Sequence, residues 1–372
     1  MIYFNSHTHI FSAQYVPNNV VGVPIMNFMS RYPIAATLSR FFARLRFGAI
    51  DSQLERVTKF ASIGLGTSQE TIFNTLEEYY NSWGDVRFVI LTMDMEQMGA
   101  GKPMGNYRTQ LEELVRIRAR GHYANKLLPF LFVDPRRPEF VNGKVLVEWV
   151  KPWFERYGFC GIKMYPALGY YPFDEKLDEL YDWAEAKQVP ILYHCIQGVI
   201  HYRGSLNGFP KPRHFIPEIH NLNLKEGKAF QANFTHPLNY KKVLERNPRL
   251  KICLAHYGGE EELTRRGPNK GAWYDAIRNL MVEYKNVYTD ISFTLHDQST
   301  FPIIAKDMKD PAVQQQVLFG TDYYVVQKDK DEGDLRDELR AFLNAQSEER
   351  NLFDLMAAEN PRTFLRSSFY SA

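Results

Sequence analysis

The sequence predicts an α/β fold, a (β/α)8 TIM barrel, on three observations. Short, nearly continuously apolar runs recur: "RFVILTMDM" (87–95), "LLPFLFVDP" (127–135), "GFCGIKMYP" (158–166), "VPILYHC" (189–195), "LKICLAHYGG" (250–259), "NVYTDISF" (286–293) and "QVLFGTDYY" (316–324). Strands covered on both faces, as in a parallel sheet, read this way. Segments with helical spacing separate the runs. Counting "MIYFNSHTH" at the start gives eight strands alternating with helices, the repeat of a barrel whose usual size is about 250 residues.

Each element follows in order. The first strand precedes a long insertion, residues 12–85, expected to be a mostly helical cap. Within it "FMSRYPIAATLSRFFARLRFGAI" (28–50) is basic and amphipathic, a pattern that suits a helix packed on the barrel or on a partner subunit better than one lying on a membrane. After the second strand, "NYRTQLEELVRIRAR" repeats apolar residues at helical spacing. After the fourth, "DEKLDELYDWAEAKQ" is helical, with Asp174 as its N-cap. "THPLNYKKVLERNPR" reads as a helix opening at Thr before His-Pro and closing at Asn-Pro. Before it, residues 196–232 form a Gly/Pro-rich excursion. The insertion and the excursion both follow a strand's C-terminal end, the face on which barrel active sites lie. Residues 1–372 are read as a single barrel domain carrying both.

Composition narrows the function classes. Of 372 residues, 45% are apolar and 24% charged, and the net charge is +2. Lys and Arg are interspersed with acids, so no basic stripe for nucleic acid is present. The three cysteines, Cys160, Cys195 and Cys253, sit in apolar runs and make neither a disulfide framework nor a CxxC zinc pattern. No apolar run is long enough to span a bilayer, and the N-terminus lacks the basic and apolar regions of a signal peptide. The expectation is a cytoplasmic protein, with a homo-oligomer open. No GxGxxG loop, P-loop or GxSxG elbow occurs, which removes nucleotide-cofactor and serine-hydrolase readings.

Chemistry gathers at the strand ends. The first strand ends in His7 and His9, the fourth contains Lys163, the fifth ends in His194, the sixth in His256, the seventh in Asp290 and the eighth in Asp322. In a barrel these ends converge on one mouth. Side chains at i and i+2 of a strand share a face, so both imidazoles of the HxH pair are expected to point inward and grip one ion. Histidine nitrogens with a carboxylate suit zinc, iron or manganese better than calcium or magnesium.

The stretches "NSHTHIF", "GIKMYP", "ILYHC", "HPLNYKKVLERNPRLKICLAHYGG", "VYTDIS", "LFGTDYY" and "ENPRTFLR" together resemble the amidohydrolase superfamily, and within it the amidohydrolase-related group of metal-dependent barrel enzymes, hydrolases and decarboxylases among them. The resemblance implies that His7, His9, His194 and Asp322 are ligands of a divalent metal, foremost zinc. It implies that Asp322 also takes a proton from a metal-activated water. His256 is either a second-metal ligand or a hydrogen-bonding partner of that water or the substrate. Lys163 either bridges two ions as a carboxylated lysine, making the site binuclear, or contacts substrate or pairs with an acid inside the barrel. Asp290 orients a ligand histidine or caps a helix. Tyr165, with Tyr170 and Tyr171, either walls a pocket for a planar or apolar substrate or covers the barrel rim. His201 and Arg203, with His214, Lys211 and Arg213, are a solvated loop or a basic lid over an anionic small-molecule substrate. His236 opens a helix, where a structural role is expected. The expected reaction is hydrolysis of a C–O or C–N acyl bond in a lactone, ester or amide. Decarboxylation of an aromatic or unsaturated acid at the same site is the alternative.

Overall fold

The computed structural model describes residues 1–20, 68–198, 200–207, 209, 211–265, 271–323, 331–347 and 350–371. Eight strands run through it: β1 (Tyr3–Thr8), β2 (Val86–Leu91), β3 (Leu127–Phe132), β4 (Gly161–Met164), β5 (Ile191–Tyr193), β6 (Ile252–Leu254), β7 (Val287–Asp290) and β8 (Val317–Leu318). Each pairs in parallel with the next in chain order. The ring closes where the segment after β8 meets β1. Ser6 N donates to Phe319 O at 2.8 Å, Asp322 N to His7 O at 2.9 Å and His9 N to Tyr323 O at 2.7 Å. This is the (β/α)8 barrel expected, its strands lying almost wholly inside the apolar runs.

Helices fill the crossovers: α1 (Gln69–Glu78), α2 (Tyr107–Arg118), α3 (Gly143–Tyr157), α4 (Asp178–Lys187), α5 (Asn239–Arg246), α6 (Ala272–Glu283), α7 (Phe301–Lys309) and α8 (Glu332–Asn344). Asn106 caps α2 by accepting from Thr109 N, the side-chain cap that Asn favours. Asp174 does accept from Lys176 N, but it caps a 3-10 turn that leads into α4. The "THPLN" helix starts later than its sequence suggests. His236 is extended (φ −57°, ψ 131°), because the ring of Pro237 disfavours the helical region for the residue before it. Thr235 instead ends a preceding short helix, and α5 begins at Asn239.

Two apolar layers result. Inside the barrel lie Phe4, Val89, Leu91, Leu128, Phe130, Leu192, Cys253, Tyr288 and Leu318. Outside, residues such as Phe88, Ile90, Leu131 and Ile162 pack against the helices. Strand β1 changes its allegiance part-way. Asn5 pairs with Phe88 and Thr8 with Ile90, so three residue steps on β1 match two on β2. That is a β-bulge, which re-aims the side chains beyond it. Asn5 and Thr8 both pair with outward-facing residues, so His7 and His9, on either side of Thr8, face inward. The HxH spacing alone would have left both on the face of Asn5; the bulge turns them.

The basic stretch 28–50 and most of insertion 12–85 lie outside the described residues. The excursion 196–232 lies across the strand ends. Ile196 bridges Gly258, Tyr202 N donates to Ala167 O at 2.8 Å and Arg203 N to Met98 O at 2.7 Å. Among the described residues no helix is long and apolar enough to cross a membrane.

Candidate metal centre

His7, His9 and Asp322 meet at the mouth. His7 Nε2 stands 3.5 Å and His9 Nε2 3.4 Å from Asp322 Oδ1. Ligand atoms about 2.1 Å from a tetrahedral ion stand roughly 3.4 Å apart, so the three atoms already have the spacing of a metal grip. Two backbone features place them. Asp322 adopts a left-handed φ of 61°, a region Asp tolerates better than most residues. Gly320 leaves room for His7, whose Cβ would lie 2.7 Å from any Cβ added at 320.

The hydrogen-bond network assigns the ring tautomers. His9 Nδ1 donates to Leu91 O at 2.9 Å, which leaves its Nε2 a bare lone pair. His7 Nδ1 donates to Asp290 Oδ2 at 2.9 Å, leaving its Nε2 bare as well. A carboxylate behind a ligand histidine is a recurrent support for a metal. His256 Nδ1 faces Ser292 O at 3.1 Å and Ser292 Oγ at 2.9 Å. The carbonyl can only accept, so Nδ1 carries the proton and Nε2 accepts, 3.0 Å from His194 Nδ1. His194 Nδ1 must therefore donate. Its Nε2 is a buried lone pair with no hydrogen-bond partner among the described residues.

The structure thus brings His7, His9 and Asp322 into one group and sets His194 beside it, coupled through His256. A second group, His7 with His256 and Asp290, also has metal-like spacing. It is internally satisfied: Ser292 Oγ lies 3.0 Å from His7 Nδ1 and also contacts Asp290 Oδ1. Asp290 Oδ1 accepts from the backbone N–H of His256 and of Ser292, both at 3.0 Å. Asp290 therefore orients a histidine, one of its two expected roles, and is no helix cap.

Charge is controlled by burial. Burial holds His7, His194 and His256 well below the usual imidazole range. The next cause is the Lys163 charge for His7, and the neighbouring imidazole for the other two. Burial, followed by Lys163, pushes His9 down to about 3. Neutral imidazole is the form that ligates a metal. Lys163, on β4, is only 1% exposed, and burial pulls it down to about 8 against the pull of Asp290 and Asp322. Its Nζ lies 5.8 Å from the Tyr165 ring centre and makes no hydrogen bond among the described residues.

The remaining candidates separate. The Tyr165 ring lies 3.8 Å from that of His194, centre to centre, and its hydroxyl donates to Ile200 O at 3.3 Å. Tyr170 is structural, accepting from Tyr165 N and donating to Val133 O. Tyr171 packs on Phe173 and Phe234. His201 is buried against Gly227, and Arg203 Nε donates to Val20 O at 3.2 Å. Arg213 pairs with Asp178 on α4 at 2.9 Å, so the basic residues of the excursion do not form one lid. His236 Nδ1 accepts from Leu238 N at 3.2 Å, the expected structural role. Sequence reasoning missed Ser292, although it stands two residues after Asp290, and Gly320. It also passed over Asp94 and Asp134 beyond β2 and β3, which Arg137 and Arg136 neutralise.

The amidohydrolase family model matches residues 108–366, more than half of the chain. The chain belongs to the amidohydrolase family. The stretch matched in this amidohydrolase includes Lys163, His194, His256, Asp290 and Asp322. His7 and His9 precede it, so their place in the centre rests on geometry. Among solved structures, the chain is similar to an uncharacterised TIM-barrel protein from Bordetella bronchiseptica (TM-score 0.56, 12% identity, 98% of each chain covered). It is also similar to a 4-oxalomesaconate hydratase from Rhodopseudomonas palustris (TM-score 0.51, 13% identity, 98% of this chain and 95% of that one). A third likeness is to a 5-carboxyvanillate decarboxylase from Sphingomonas paucimobilis (TM-score 0.51, 12% identity, 99% of each chain). At these identities the likeness shows the fold. The comparison with curated proteins found no match.

Proposed function

We propose that this amidohydrolase is a metal-dependent hydrolase that cleaves a C–O or C–N acyl bond of a small anionic substrate. The observation that carries the reading is the convergence of His7 Nε2, His9 Nε2 and Asp322 Oδ1 at metal-like spacing; His194, hydrogen-bonded to His256, has a bare Nε2. These four residues would hold one zinc-class ion. Such an ion supplies a water acidified to a pKa of about 7 and a positive charge opposite the developing oxyanion. Asp322 takes the proton from the attacking water and returns it to the leaving oxygen or nitrogen as the acyl bond breaks. His256, its Nδ1–H held by Ser292, accepts from His194 Nδ1 and so keeps the lone pair of His194 on Nε2. Lys163, whose charge Asp290 and Asp322 favour and whose ammonium makes no hydrogen bond among the described residues, suits a substrate carboxylate. Tyr165 walls the site beside His194.

Elemental analysis of the purified protein, paired with product analysis on lactone, ester, amide and carboxylic-acid panels, tests the reading. About one transition-metal ion per chain and net uptake of water are expected. Carbon dioxide release without water uptake would replace hydrolysis by decarboxylation. Full metal retention in both His7→Ala and His9→Ala would overturn the ligand assignment.

A further inference from the structure

The opposite end of the barrel carries a second site. A pocket of about 680 Å³ opens where β5, β6 and β7 begin. It is lined by Arg249, Lys251, Lys285 and Arg366, together with polar residues and Tyr288, and no carboxylate of the described residues lines it. Tyr288, with its ring 4.9 Å from that of Phe364, helps plug the barrel bottom, so the pocket is closed off from the mouth.

Lys251 is the unusual member. It is only 8% exposed. Its ammonium donates to Phe364 O at 3.0 Å and to Arg366 O, two carbonyls at the end of the short helix Asn360–Leu365. Carbonyl dipoles solvate a cation but do not neutralise it. Burial, and then the Arg366 charge, pull Lys251 down to about 8, with no acid among the causes. Arg366 is exposed, and its guanidinium makes no hydrogen bond or ion pair among the described residues. Lys285 is held by Ala312 O at 2.8 Å. Among the described residues only Arg249 is paired with an acid: Glu185 lies 3.7 Å from its guanidinium and accepts from its backbone N–H at 2.7 Å. Four cationic residues therefore line one cavity, with a single carboxylate at its edge among the described residues. Clefts of one sign concentrate counter-ions, and guanidinium forks match planar or tetrahedral oxyanions.

We infer that this pocket binds a small organic oxyanion carrying at least two negative charges, a phosphate ester or a polycarboxylate. The volume lies within the range of small-molecule sites and well beyond what a bare inorganic anion would fill. Barrel chemistry resides at the other face, so the bound anion is an effector or stabiliser, not the substrate. The inference does not depend on the reaction assigned to the mouth.

Titration calorimetry at fixed ionic strength on the metal-replete protein tests it, with phenyl phosphate, inorganic phosphate and tricarballylate as probes. At least one organic probe should bind saturably, with a Kd below about 1 mM. Preference for phenyl phosphate or for tricarballylate identifies the ligand as phosphate ester or polycarboxylate. Arg366→Gln, at an exposed position, should weaken binding at least about tenfold by removing a charge-assisted fork. Lys251→Met should do so too, and if it fails to fold Arg366→Gln decides alone. His9→Ala should leave the affinity unchanged. Absence of saturable binding by either organic probe, undiminished binding in Arg366→Gln, or loss of binding in His9→Ala would each overturn the site.

Discussion

Strand β1 supports two buried polar clusters, one on each side of the barrel wall, and they are built differently. On the inside, Asp290 spreads its two oxygens over the His7 ring and the backbone N–H groups of His256 and Ser292, so that it orients one ring and the segment that carries another. On the outside, Asn5 Nδ2 donates to Tyr80 OH and Thr321 Oγ1, both at 2.8 Å, and Glu332 is the carboxylate. Tyr80 OH and Thr321 Oγ1 donate to its Oε1 at 2.6 and 2.7 Å, while Oε2 is buried with no partner among the described residues. The bulge between Asn5 and Thr8 separates the two. The inner cluster spends its polarity on a ligand set. The outer one ties β1, the segment after α1, the segment after β8 and the start of α8 together, with half of a carboxyl unsatisfied. The lesson is that buried acids on one strand can be told apart by where their hydrogen bonds end.

The largest test of that contrast is to remove an inner ligand. Asp322→Ala or His9→Ala should abolish bound metal, since three donors must converge, while leaving the outer cluster and the fold in place. Metal content by elemental analysis should fall to background while the far-ultraviolet circular dichroism of the metal-free protein is unchanged. An unfolded Asp322→Ala would mean that the two clusters share one structural task.

The outer cluster should announce itself in the pH dependence of stability. Burial outweighs the donors and raises Glu332 to about 7. A carboxyl raised in the folded state contributes stability that is fully present below its unfolded pKa, about 4.5, and is lost as pH rises through 7. Denaturant titrations should therefore show stability falling by up to about 3 kcal/mol over that window from this group, a slope that Glu332→Gln removes. An identical slope in Glu332→Gln would assign the effect elsewhere. Asp290→Asn probes the inner counterpart and should cost about 10–100-fold in metal affinity, the usual effect of losing an outer-shell carboxylate. Competition with a chelator measures it, and wild-type affinity would leave Asp290 a purely structural residue.

How much of this could be read in the sequence follows from which signals are local. Eight buried strands announce themselves as apolar runs because both faces are covered, and the residues at their ends can be named from position alone. The inward aim of His7 and His9 was expected from i, i+2 parity, yet it depends on a bulge that no residue type marks. Ser292 and Gly320 went unnoticed because their roles exist only across strands: one bridges β7 to His7 and His256, the other yields space to His7. His236 was placed in a helix because Thr-His-Pro reads as a start, whereas the constraint of Pro237 acts backwards. The excursion's basic residues left a solvated loop and a basic lid both open in the sequence, because only the folded chain shows that Arg213 turns to Asp178 while Arg203 stays at the strand ends.

The smallest expected effect is that of Ser292→Ala, and its smallness is informative. The Ser292 hydroxyl has one proton, and its close contact with Asp290 Oδ1 takes it. Toward His7 Nδ1 and His256 Nδ1 the oxygen can then only accept. His7 Nδ1–H already has Asp290 Oδ2, and His256 Nδ1–H retains the Ser292 carbonyl at 3.1 Å. The tautomers of His7, His256 and His194 are thus over-determined without the hydroxyl. Ser292→Ala should cost about 1 kcal/mol of stability and change metal affinity less than about tenfold. If it instead rivals Asp290→Asn in a chelator competition, the hydroxyl and not the carboxylate sets the rings. The inner cluster would then rely on a single shared proton, as exposed to loss as the half-satisfied Glu332 outside.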